Sequence, residues 1–92
     1  MPVTVYIPTP FRRATSNRDR VQVAAADVRS LLDELEHAYG GLKGLVRNEQ
    51  GEIHHHINVF VNNESIDGLD TRLEDGDEVA IIPALAGGEG PA

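Results

Sequence analysis

Hydrophobic residues recur along this chain with two different periods, and the switch between them marks out the elements. In VTVYIP, residues 3–8, Val3, Val5 and Ile7 alternate with Thr4 and Tyr6, the pattern of a half-buried strand, and Pro8 removes the donor that would continue its pairing. RVQVAA, residues 20–25, alternates again with Val21 and Val23 on one side, so the two segments are expected to form a hairpin around a long, irregular, arginine-rich link. After Asp27, a natural N-cap, the spacing changes: Val28, Leu31, Leu32, Leu35, Ala38 and Tyr39 fall at i, i+3, i+4, i+7, i+10 and i+11. This is the apolar face of a helix whose other face is Arg29, Asp33, Glu34, Glu36 and His37, and Gly40-Gly41, where positive φ is cheap, is the expected stop. Leu42, Leu45 and Val46 suggest a short helical turn before the polar loop RNEQGE.

The period then returns to two. In IHHHINVFVNN, residues 53–63, Ile53, His55, Ile57, Val59 and Val61 share one face and His54, His56, Asn58, Phe60 and Asn62 the other, with a turn at Asn62-Asn63. ESIDGLDTRL supplies short extended pieces broken at Asp67-Gly68. EDGDEVAIIP joins an Asp75-Gly76 turn to a strand that is apolar on both faces, Val79 and Ile81 on one and Ala80 and Ile82 on the other. A strand apolar on both sides belongs in the middle of a sheet, with the first strand as its expected neighbour. The order of strands around a single long helix predicts an α+β fold, one twisted sheet with the helix across one face.

Composition narrows the picture. Ninety-two residues make one domain whose core buries roughly 60–65 % of the unfolded chain's surface. With no cysteine, disulfides, thiolate catalysis and zinc–thiolate sites are excluded. The apolar runs are too short for a membrane span and nothing resembles a signal peptide, so a cytoplasmic protein with no membrane partner is expected. The net charge of −7 is unevenly spread: residues 1–47 hold seven Lys or Arg against five acids, whereas residues 48–92 hold Arg72 against ten. A nucleic-acid contact through the second half is disfavoured, and the acids serve either a locally basic partner or plain solubility.

No side-chain constellation points to catalysis. Ser16, Ser30 and Ser65 lack a His and an acid at triad spacing, Lys43 is the sole lysine, and Asp75 and Asp77 flank a turn where carboxylates are commonly solvated. No glycine-rich phosphate loop opens a helix. His54 and His56 on one strand face could share a metal, but two ligands make a weak site and no metal is expected; the alternative has His55 at the core edge and the other two solvated. Phe60 and Ile82 form either an apolar docking patch on an open sheet face or a minor cluster beneath the loop at residues 69–73. The end of the chain, PALAGGEGPA, holds two adjacent glycines that could be drawn extended into a partner's active site, or simply fray.

Taken together, EDGDEVAIIPALAGG, INVFVNNE and the leading VTVYIP resemble the ubiquitin-like sulfur carriers of the MoaD and ThiS family, most closely the cysteine-biosynthesis branch. The resemblance runs from about Val3 to Gly88. It implies a β-grasp, ubiquitin-like fold: a mixed sheet of four to five strands with one main helix on one face. Residues 1–88 would be a single carrier domain ending in the diglycine, and residues 89–92 an extension to be removed. An E1-like adenylating enzyme would use ATP to activate the carboxylate of Gly88, preceded by Gly87, and sulfur would convert it to a thiocarboxylate. The carrier would itself be a co-substrate with no cofactor and no catalytic site. Because Gly88 is joined to Glu89, a JAMM-type metalloprotease would first cleave between them. The implied client is an enzyme such as a cysteine synthase. Alternatives are molybdopterin synthase or a modifier joined to lysines. Phe60, Ile82, Leu85 and Ala86 are the expected partner contacts; Arg12 and Arg13 either touch a client or are solvated loop charges.

Overall fold

The computed structural model describes residues 2–66 and 68–83. Its elements are β1 (Val3–Tyr6), a 3-10 helix (Thr9–Thr15), β2 (Arg20–Val23), α1 (Val28–Ala38), a 3-10 turn (Gly40–Leu42), β3 (Ile57–Val61), β4 (Glu64–Ser65) and β5 (Glu78–Pro83). The sheet order is β2-β1-β5-β3-β4. β1 runs parallel to β5 and every other neighbour is antiparallel. The doubly apolar last strand is thus central, flanked by the first strand as its composition requires. The result is a β-grasp sheet gripping one main helix.

Alternation decides what faces the helix. Val3, Val5 and Ile7 from the first segment, Val23 from β2, Ile57 and Val59 from β3, and Val79 and Ile81 from β5 are buried together with Val28, Leu31, Leu32 and Leu35 of α1. Leu42, Val46 and Leu73 close the ends of this core. α1 starts where Asp27 accepts from the Ser30 backbone N–H at 2.8 Å, while Ser30 Oγ reaches back to the Asp27 N–H, a reciprocal cap. The next two orphan donors of the helix, the Val28 and Arg29 N–H groups, bond the carbonyls of Thr71 and Leu69, both at 3.0 Å. This stitches the segment after β4 onto the helix side of the sheet.

Four expectations need correction. The link after β1 is a 3-10 helix rather than irregular chain: buried Thr15 bonds the carbonyls of Arg12 and Arg18 at 3.2 and 2.9 Å and folds the segment on itself. Gly40 and Gly41 do not use positive φ, which belongs to Gly44, Gly51 and Gly76. Gly41 is small because a Cβ there would lie 3.1 Å from Ala14 Cβ, so the two 3-10 segments can touch. Ala38, expected on the buried face, is exposed, while Tyr39 is half-buried at the helix cap. The strand expected over residues 53–63 begins only at Ile57. Before it, the His54 N–H bonds the Val46 carbonyl and the Ile57 N–H returns to the His54 carbonyl, both at 2.9 Å, turning the three histidines out of the sheet.

Arg47 locks the long connection onto α1. It donates Nε to Glu36 at 3.0 Å and Nη2 to Glu36 and Asp33 at 3.0 and 2.7 Å. The Arg47 side chain is 11 % exposed and that of Glu36 15 %, so this pair is desolvated more than a surface bridge, and the Glu36 hydrogen bonds drive the arginine pKa further up.

Candidate functional site

The face of the sheet away from α1 is open, and its composition follows from strand parity. Tyr6 lies opposite Ala80, Ala80 opposite Phe60, and Phe60 opposite Ser65, with Arg20 beyond Tyr6, so one row crosses all five strands. In the next row Ile82 lies opposite Asn58. Ile82 is 45 % exposed, the most exposed large hydrophobic among the described residues, while Phe60 and Tyr6 are half-buried. None of the three packs against the core cluster. The loop at residues 69–73 lies with the helix N-terminus, so it does not roof Phe60, and the covered-cluster alternative is set aside. Tyr6 was not singled out from the sequence, although its parity, opposite to Val3, Val5 and Ile7, places it on this face once β1 and β5 are paired.

This apolar patch borders the root of the C-terminal segment. Pro83, the last residue of β5, lies opposite Ile57 and one residue beyond Ile82. Gly87, Gly88, Leu85, Ala86 and Glu89 lie outside the described residues. Gly88 is five residues beyond Pro83, a reach of about 17 Å when extended.

Other sequence candidates have structural partners. Ser30 belongs to the helix cap, and Ser16 ends the 3-10 helix in a left-handed conformation with φ 55°. Asp77 accepts from the Glu74 N–H at 2.8 Å and from Asn62 Nδ2 at 3.0 Å; those bonds, the Glu74 one foremost, hold its pKa below the ordinary aspartate value. Asn62 in turn accepts from the Glu78 N–H at 3.0 Å, so these polar groups tie the β3–β4 hairpin turn to the start of β5. That turn has φ of 51° and 70° at Asn62 and Asn63, the left-handed pair that a two-residue hairpin needs.

The histidines do not share a strand face. His54 Nε2 is 2.9 Å from the Gly44 carbonyl, its ring stacks on His56 with centroids 5.1 Å apart, and His55 is exposed rather than at the core edge. Among the described residues no group of three or more His, Cys, Asp or Glu is placed to hold a metal, and no helix is long and apolar enough to cross a membrane.

The ThiS family model matches residues 5–88. A sulfur carrier protein, CysO, of Mycobacterium tuberculosis is 36 % identical over 93 residues, covering 96 % of this chain and all of the relative. Small archaeal modifier protein 3 of Haloferax volcanii is 42 % identical over 66 residues, covering 68 % of this chain and 71 % of the relative. In the crystal structure of the Amycolatopsis orientalis BexX/CysO complex, a chain 38 % identical superposes with a TM-score of 0.87 over 94 % of this chain and 99 % of that one.

Proposed function

Because this chain belongs to the ThiS family of ubiquitin-like sulfur carriers and modifiers, we propose that it carries sulfur as a thiocarboxylate on Gly88. The observation that bears most weight is the placement of β5. The strand leading to the diglycine is the central one, paired along both edges, and it ends beside an exposed apolar patch. A partner that seats the patch therefore receives the chain end at a fixed place. Such pre-positioning lowers the ordering cost of threading the segment that follows into an active site.

The chemistry would run in three steps. In the 92-residue chain the Gly88 carbonyl is an amide to Glu89, which no adenylating enzyme can activate. Hydrolysis of that amide by a JAMM-type metalloprotease adds water, leaving the Gly88 carboxylate and a new amine on Glu89. In an E1-like enzyme the carboxylate oxygen attacks the α-phosphorus of ATP and expels pyrophosphate, giving an acyl-adenylate. A hydrosulfide equivalent then adds to the acyl carbon and expels AMP, leaving the thiocarboxylate, whose sulfur is the nucleophile given to the client. Similarity to the cysteine-branch carriers favours a cysteine synthase acting on an activated serine such as O-phosphoserine. Phe60 and Ile82 provide the docking contacts, with Leu85 and Ala86 leading into the partner's channel. The chain supplies no catalytic group of its own.

The similarity to an archaeal modifier favours a second reading, in which the acyl-adenylate is taken by a lysine amine instead of sulfur. Intact-mass measurement of the protein from its native cells separates the two. Loss of Glu89–Ala92 followed by an oxygen-to-sulfur mass gain supports the carrier, isopeptide adducts through Gly88 support the modifier, and an unaltered 92-residue chain sinks both.

A further inference from the structure

The fold sorts charge by pole, and the pole from which the C-terminal segment leaves carries a cluster of arginines. Ala80 of β5 lies opposite Tyr6, which lies opposite Arg20, so residues following Ala80, following Tyr6 and preceding Arg20 all run past the same end of the sheet. The ladder continues there, since the Ile7 N–H donates to the Asp19 carbonyl at 2.9 Å. This end gathers Arg12, Arg13, Arg18 and Arg20 with a single acid, Asp19, in the connection and at its junction with β2. Among the described residues the opposite end holds Glu64, Glu74, Asp77 and Glu78 around a lone cation, Arg72: Glu78 lies opposite Thr4, Glu64 opposite Val61, and the Thr4 N–H donates to the Asp77 carbonyl. The acids of the second half of the chain are thus kept away from the root of the tail on this flank.

Two further observations bear on these arginines. Among the described residues no ion pair joins Arg12, Arg13, Arg18 or Arg20 to an acid, so, like Arg72 and unlike Arg29 and Arg47, they keep their charge available. The segment presenting them is also tightly built. Thr15 is fully buried and bonds the carbonyls of both Arg12 and Arg18, the Asn17 N–H bonds the Arg12 carbonyl at 2.7 Å, and Arg12 Nε bonds the Ile7 carbonyl at 3.1 Å. Ser16 and Asn17 take left-handed φ of 55° and 65° to make this closure. Charges held on a closed 3-10 segment lose little freedom when a partner covers them. The other flank of the root, with Glu52 and the three histidines, offers no such cluster.

We infer that the adenylating enzyme receiving the C-terminal segment presents carboxylates at the rim of its channel on the β1–β2 flank, and that Arg13, Arg18 and Arg20 steer the carrier tail-first onto it. This rests on the carrier reading above and adds the chemistry of the partner's surface. Complementary charge at the mouth raises the encounter rate, and the acidic far pole is turned away from the same carboxylates, so the correct end arrives first.

The test is the association rate of an E1-like adenylating enzyme from the same organism with the 92-residue chain and with the chain ending at Gly88. Arg13→Glu with Arg18→Glu should lower that rate about 10-fold at low ionic strength, and the difference should shrink in high salt as the charges are screened. Glu74→Lys at the far pole should leave the rate within about 2-fold. Unchanged melting temperatures show that each variant is folded. A double variant that associates like the parent at low salt, or a far-pole variant that loses as much as the double one, overturns the proposal. So does retention on duplex DNA that the same arginine substitutions abolish, since the cluster would then serve a nucleic acid. Failure of every chain ending at Gly88 to release pyrophosphate from ATP sinks the carrier reading instead, and the association rates still decide the steering.

Discussion

Ile82 is the residue at which stability and docking separate most cleanly. It is 45 % exposed and outside the core cluster, although its neighbours Ile81 and Val79 are completely enclosed. Ile82→Asp should therefore change the melting temperature little while lowering kcat/KM for adenylation about 10-fold or more, as loss of a central apolar contact does at protein interfaces. Phe60→Ala should lower it as well, with a modest loss of stability because that ring is half-buried. A melting temperature that falls while kcat/KM holds would return both residues to a structural role. Asp27 and Asp77 belong to the same scale. The Ser30 backbone N–H, then its hydroxyl, lower the Asp27 pKa, and the Glu74 N–H followed by Asn62 lowers that of Asp77. A depressed folded-state pKa gives stability that is complete above the unfolded value of about 4 and is lost as pH falls through the lower folded value. Asp27→Asn with Asp77→Asn should thus melt below the parent at pH 7, and the gap should close on acidification; a pH-independent gap would remove the ionised forms from the account.

At the level of elements, what could be read in advance was whatever local pattern decides. Asp27 just ahead of the helical apolar period marked the helix start, and the two-sided apolarity of EVAIIP placed β5 at the sheet centre without any contact being known. Contacts between distant residues decided the rest. His54 sits in a turn because Val46 and Gly44 bind it, eight and ten residues upstream, and the alternation of Ile53, His55 and Ile57 mimics a strand that those bonds interrupt. Gly41 looked like a helix stop, but Ala14, in another element, sets its size. Gly41→Val should accordingly destabilise the fold by about 1–3 kcal/mol through overpacking of the two 3-10 segments. Leu35→Ala, at a fully enclosed helix position, should cost about 2–5 kcal/mol through the cavity it leaves. Urea unfolding measures both. If Gly41→Val proves as stable as the parent, the close approach to Ala14 yields without strain and is not what selects glycine there.

For the molecule as a whole, labour on the carrier reading is divided between a gripped body and the segment that follows β5. Among the described residues the buried core runs to Ile81, and the β5 ladder reaches Pro83 opposite Ile57. The diglycine was singled out through the family resemblance, in which turn, strand and glycine pair come in register, and it lies outside the described residues. The apolar patch was only half legible, since Phe60 and Ile82 could be assigned to a face but Tyr6 joined them only through the register of the expected pairing between the first and last strands, which no local pattern states. This separation yields a prediction about three lengths of chain. If the contacts of residues 2–83 alone hold the body together, chains ending at Pro83 and at Gly88 should melt within about 2 °C of the 92-residue form. Chemistry should divide them differently. With ATP, the adenylating enzyme and a sulfur donor but no protease, only the chain ending at Gly88 should gain sulfur, while the 92-residue form should do so after the protease is added. Sulfur on the 92-residue chain without cleavage would mean that Gly88 is not the acceptor, and a large fall in melting temperature for the chain ending at Pro83 would mean that residues 84–88 belong to the body rather than to the end it presents.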